Sequence, residues 1–136
     1  MKIHRYVLLV ISSASFLAIT VLSLVPRPPD ILGAFSYSDK VYHAAAYCFM
    51  AFFILLTMRT YGTGHSRSWI LSLLFSFAAG LLIEIIQPYF SRTGDVTDFT
   101  ADMAGASAGV YLAGYLIKSG FVKIEKKGVL LKRRTP

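Results

Sequence analysis

The sequence predicts an all-α membrane protein, a single domain built as a bundle of four transmembrane helices. Three observations lead there. Apolar residue types make up 55% of the 136 residues and charged types only 15%, against the roughly 25% charged residues of an ordinary soluble domain. Mean hydropathy is +0.58. Four runs of 18 or 19 mostly uncharged residues recur along the chain, separated by short polar connections, and a bilayer core about 30 Å thick needs about 20 helical residues to cross. Together these exclude a soluble globular enzyme, a disordered chain and a disulfide-stapled secreted fold. The single cysteine, Cys48, has no partner within the chain.

The first span covers residues 7–25 and carries no charge. Lys2 and Arg5 precede it as they would in a signal peptide. Its apolar region is longer than the usual stretch of about 7–15 residues, however, and no A-x-A site precedes Pro26. It reads as an uncleaved anchor. Pro26, Pro28 and Pro29 end it, because proline lacks the N–H donor and fixes φ. Residues 26–40 are expected to form an irregular loop. The second span, 41–58, is broken only by His43, and a polar loop, 59–68, follows with Gly62 and Gly64. The third span, 69–87, holds Glu84 near its end. The third connection starts at Pro88 and includes the turn-like Ser91-Arg92-Thr93-Gly94. The fourth span, 99–117, is rich in Ala and Gly and holds Asp102 near its start; a basic tail, 118–136, closes the chain. Backbone polar groups in lipid must be paired within the segment, so the spans are helices. No linker divides residues 1–136.

Basic residues set orientation. The N-terminus, the second loop and the tail carry 11 of them, and the first and third connections carry 3. The expected protein is a multi-pass component of the plasma (inner) membrane with both termini cytoplasmic. The tail reads as a topology anchor that also attracts anionic lipid. Nucleic-acid binding is not expected, since Phe121 is the only aromatic residue near the tail. Tyr37, Tyr42, Tyr89 and Phe90 suit the outer interface, and Tyr61 and Trp69 the inner one. Carboxylates run the other way: Asp30, Asp39, Glu84, Asp95, Asp98 and Asp102 fall at the outer end, and only Glu125 is cytoplasmic. Acidic residues contribute little to topology, so this bias has a separate cause.

The helices bring those groups together. Lys40, His43 and Tyr47 share one face of the second helix, with Asp39 beside them. Glu84 and Gln87 share a face of the third. Arg92 and Asp95 come from the connection, and Asp98 and Asp102 lie one turn apart at the start of the fourth helix. Ala101, Gly105, Gly109 and Ala113 recur every four residues, and Gly105–Gly109 is a GxxxG. At about 100° per residue the two aspartates share that stripe, so they are expected to face a packed interface. Lys40 and Arg92 can pin helix ends by pairing with carboxylates, but six carboxylates against two bases leave a surplus. Intramembrane ionisable groups mark functional sites by default. His43, Glu84, Asp98 and Asp102 are candidate ligands for a divalent metal. Alternatively Lys40, His43 and Arg92 grip an anionic headgroup while a carboxylate acts as general base. Proton relay through the acids is a third use. No HExxH or Cys/His spacing occurs, and no serine nucleophile has a well-spaced base.

Ser38-Asp39-Lys40-Val41-Tyr42-His43 followed by Tyr47 resembles the S-D-K-x-x-H-x-x-x-Y opening of the VanZ-like family. Glu84-Ile85-Ile86-Gln87 resembles that family's E-x-x-Q helix end, and Ser91 to Asp98 its R-x-x-D-x-x-D loop. The run from Ala101 to Gly109 resembles its D-x-x-x-N-x-x-G-x-x-x-G entry to the last helix. The motifs come in the family's order over residues 20–117. One position departs: Asp102 stands where the family usually has Asn, replacing an amide with an acceptor that can carry charge. The family takes its name from a small membrane protein that accompanies glycopeptide-resistance genes and gives low-level teicoplanin resistance without altered cell-wall precursors. The resemblance implies a cell-envelope role and no particular reaction. The implied partners are the lipid bilayer and an anionic lipid or lipid-linked cell-wall intermediate. Homo-oligomerisation through the GxxxG stripe stays open.

Overall fold

The computed structural model describes residues 4–25, 38–92 and 94–124. Residues 26–37 of the loop expected at 26–40, with Tyr37 among them, Thr93, and the tail from 125 onward lie outside the described residues. Four long helices form: α1 (Arg5–Leu24), α2 (Ser38–Thr60), α3 (His65–Ile86) and α4 (Val96–Lys118), with a 3₁₀ turn (Gln87–Phe90) after α3. The expected all-α bundle is present, with helices that outrun their apolar cores. Ser38, Asp39 and Lys40, expected in a loop, form the first turn of α2. The expected loop at 59–68 shrinks to residues 61–64. Hydropathy marks only the part of a helix suited to hydrocarbon, whereas backbone hydrogen bonding carries the helix on through polar residues. Gly62, at φ +88°, supplies the left-handed residue that turns the chain between α2 and α3. Pro88, expected to open a loop, instead lies in the first positions of the 3₁₀ turn, where its missing N–H costs nothing.

The distribution of polarity is inverted relative to a soluble bundle. Val10, Leu17, Leu74, Leu82 and Ile85 are exposed, while Ser12, Thr57, Ser68, Ser72 and Ser76 are buried. Lipid tails are as apolar as leucine, so a bilayer places no premium on burying leucine and small residues move to the helix contacts. Three stretches, Arg5–Leu24, Asp39–Thr60 and His65–Phe90, are long and apolar enough to cross a membrane. The chain is thus a helical membrane protein. The fourth helix has 23 residues, enough to cross, but alanine, glycine and two aspartates dilute its apolar character.

Packing centres on α2 and α4, which form the most extensive contact in the bundle. A methyl group on Gly105 would collide with the Ala44 carbonyl oxygen, and one on Gly109 with the Cys48 carbonyl oxygen. Lys40 meets Asp98 and His43 meets Asp102 in the same register. Four contacts at nearly constant offset define two parallel helices along one seam. The GxxxG stripe therefore packs within one chain, and Asp98 and Asp102 are buried against it as expected. Helix α1 joins α2 through a 2.8 Å hydrogen bond between the Ser12 and Thr57 hydroxyls.

Helix α3 carries a second small-residue stripe: Ser68, Ser72, Ser76 and Gly80, every fourth residue, all buried. The Trp69 ring, expected at the inner interface, lies half-buried against Gly114 of α4. Beyond α4 the chain folds back on the bundle. Gly120 adopts φ +76°, and the Val122 N–H donates to the Leu116 carbonyl. The tail therefore begins as a packed segment.

Candidate functional site

The polar residues gather where α2 and α4 begin and α3 ends, in two layers. The rim holds Asp39, Lys40, Arg92, Asp95 and Asp98. Asp95 is the N-cap of α4: its Oδ1 accepts from the Thr97 N–H at 2.8 Å, satisfying a donor the helix leaves free. Hydrogen bonds from the Thr97 side chain and backbone, and then from Lys40, hold the Asp95 carboxyl below its ordinary value. Lys40 Nζ donates to Asp98 Oδ1 at 2.9 Å and to Asp95 Oδ2 at 3.4 Å. Arg92 Nη2 lies 3.9 Å from Asp39 Oδ2, in a looser pair whose aspartate is exposed. The helix-pinning role expected of Lys40 and Arg92 is thus present at the rim, where two cations face three carboxylates.

The inner layer holds His43, Tyr47, Glu84 and Asp102. His43 Nδ1 and Asp102 Oδ1 are 2.9 Å apart, with 8% and 1% of the respective side chains exposed. Glu84 Oε2 accepts the backbone N–H of Asp95 at 2.7 Å. That bond depends on Gly94, because a methyl there would come within 2.7 Å of the Glu84 carbonyl oxygen. Glycine lets the connection cross the end of α3 at this distance. Three buried polar atoms of this layer have no hydrogen-bond partner: Tyr47 Oη, Glu84 Oε1 and Asp102 Oδ2. Most buried polar atoms in native proteins are paired, so each such atom calls for an explanation. No lysine or arginine pairs with Glu84 or Asp102 among the described residues.

Nine of the ten expected polar residues fall in these two layers. Gln87 turns elsewhere: its Nε2 donates to the Ser23 carbonyl of α1 at 3.3 Å. Arg92 also reaches α1, through the Val25 carbonyl at 3.5 Å, so both help seat α1 on the bundle. Gly80 was not singled out in the sequence, although a Cβ there would stand 3.3 Å from Asp102 Oδ2. Its place on the four-residue small stripe of α3 was the available signal.

The arrangement offers two kinds of chemistry. Arg92, paired loosely with the exposed Asp39, suits an anionic group that can displace that acid. Inner carboxylates beside a histidine, without a basic partner, suit a proton or a cation. His43, Glu84 and Asp102 each offer a ligand atom within 4.8 Å of the others, and so do Asp39, His43 and Asp98.

A membrane bundle with a layered ionisable cluster buried at one end defines a class, a small multi-helix membrane protein built around a polar site. The family follows from comparison: the VanZ/LLP1 model matches residues 7–118, and the chain belongs to that family. The match runs from the first turn of α1 to the last residue of α4 and so includes both layers. No curated protein and no solved structure matches the chain.

Proposed function

We propose that the cluster is an outward-facing site through which the protein binds or modulates an anionic component of the cell envelope, a lipid phosphate or a lipid-linked cell-wall intermediate. The observation that carries this reading is the gathering of nine ionisable or hydroxyl side chains from three helices and the α3–α4 connection at one end of an apolar bundle, with three buried polar atoms left unpaired. Orientation comes from the charge bias. Arg5, Arg59, Arg67 and Lys118 lie at helix ends opposite the cluster, and such residues face the cytoplasm. Lys40 and Arg92 then stand at headgroup depth on the outer face.

Native mass spectrometry of the purified protein tests the reading. Wild type retains phosphatidylglycerol or an undecaprenyl-pyrophosphate-linked intermediate in preference to phosphatidylcholine, and the two anionic arms tell a bulk lipid from a cell-wall precursor. Arg92→Gln weakens retention about tenfold, the effect of losing one charge-assisted contact. Equal retention of all three lipids, unchanged in Arg92→Gln, contradicts the reading. The family connection adds reduced teicoplanin susceptibility as the cellular readout, lost in Glu84→Gln at matched membrane abundance. The second reading, a metal-assisted hydrolase or transferase acting on the headgroup, draws on the His and carboxylate groupings within 4.8 Å.

A further inference from the structure

The inner layer points to a more specific ligand. We propose that His43, Glu84 and Asp102 form a binding site for one divalent cation, of the Zn²⁺ or Mn²⁺ type. The inference deepens the reading of the cluster as a binding site and requires no lipid.

Charge is the first argument. Glu84 and Asp102 bring two carboxylates into an apolar bundle, and no basic side chain but His43 pairs with either among the described residues. A buried charge needs a paired partner to offset its desolvation, and one divalent cation balances both carboxylates. Geometry is the second. Donor atoms 2.9 Å apart, as in His43 and Asp102, span the edge of an octahedron whose bonds are about 2.1 Å long. The third ligand atom, from Glu84, lies within 4.8 Å of both. The unpaired atoms are the third argument. Asp102 and Tyr47 are each 1% exposed, and Asp102 Oδ2 and the Tyr47 hydroxyl, which lies beside Asp102 and Glu84, make no hydrogen bond of good geometry among the described residues. A side chain on Gly80 would press on Asp102 Oδ2 and on the Phe99 ring beside it, so glycine leaves that oxygen uncrowded from α3.

The competing group, Asp39, His43 and Asp98, is less suited. Asp98 already holds the Lys40 ammonium at 2.9 Å, and a metal there would face that positive charge. One imidazole nitrogen with two carboxylates favours Zn²⁺ or Mn²⁺ over Mg²⁺ and Ca²⁺, which prefer oxygen alone. Three protein ligands leave further positions for water or an anionic ligand.

Equilibrium dialysis of the tag-free protein in uncharged detergent, with Zn²⁺ or Mn²⁺ alone, tests the proposal. Wild type binds one equivalent per chain. Asp102→Asn and Glu84→Gln, each kept folded by a near-isosteric replacement and checked by circular dichroism, weaken binding about tenfold or more. Asp98→Asn leaves binding intact. Spin-echo spectra of bound Mn²⁺ show a directly coordinated imidazole nitrogen that His43→Gln removes. Absence of saturable binding by folded wild type overturns the proposal. So does binding that survives both Asp102→Asn and Glu84→Gln, or that Asp98→Asn alone abolishes. The assay contains no anionic lipid, so its failure is separate from a failure to retain envelope lipids.

Discussion

Gly105→Leu is expected to lower the stability of the bundle by more than about 3 kcal/mol, beyond the usual cost of overpacking. The obstacle at Gly105 is the backbone carbonyl of Ala44, and even a Cβ collides with it. No side-chain rotation relieves that clash, so α2 and α4 must separate. Gly109→Leu meets the Cys48 carbonyl in the same way. Separation along this seam also breaks the Lys40–Asp98 and His43–Asp102 contacts, so binding at the cluster goes with the fold. Ala108→Leu adds a similar volume at an exposed position of the same helix and is expected to be near neutral. Thermal unfolding in detergent, read beside membrane abundance, checks the contrast. Equal stability of Gly105→Leu and Ala108→Leu contradicts the seam.

His43→Ala is the second large effect. It leaves the Asp102 carboxylate, 1% exposed, without its 2.9 Å partner His43. Removing one member of a buried pair costs about 3–5 kcal/mol. The half-buried neighbour Glu84 lets some water relax the site, so about 3 kcal/mol is expected. Removing both partners leaves no orphaned charge, and His43→Ala/Asp102→Ala is expected to be more stable than His43→Ala alone. Asp102→Asn keeps a hydrogen-bonding group beside His43 at the position where the family resemblance expected asparagine, and should cost less than about 1 kcal/mol. Unfolding midpoints of the three variants measure the pattern. A double variant less stable than His43→Ala removes the pair from the account.

Much of this was legible in the sequence because lipid imposes simple rules. Apolar runs of the right length gave the helices, and aspartates on the same face as glycines marked one face of α4 as a packed interface. What the sequence left open was the partner of the stripe, since small residues every four positions suit packing within or between chains equally well. The Ala44 and Cys48 carbonyls answer that within one chain. Gln87 looked like a neighbour of Glu84 because both lie on one face, but the 3₁₀ turn begins at Gln87 and its amide goes to Ser23. Helix ends were hardest to place. Hydropathy is silent where Ser38, Asp39 and His65 continue a helix by hydrogen bonding alone. The serine stripe of α3 was hidden by the stronger apolar signal around it, although its four-residue spacing matched that of α4.

An envelope ligand requires the cluster to face the outside of the membrane, and Asp39 reports on that directly. It is the most exposed of the rim residues measured in ion pairs, at 51% of its side chain, and its loose partner Arg92 makes substitution mild. Asp39→Cys in a Cys48→Ala background leaves one thiol in the chain, placed at the rim. Labelling of that thiol in intact cells by a membrane-impermeant maleimide is the predicted result. Labelling only after the membrane is opened puts the cluster on the cytoplasmic side and contradicts an envelope ligand.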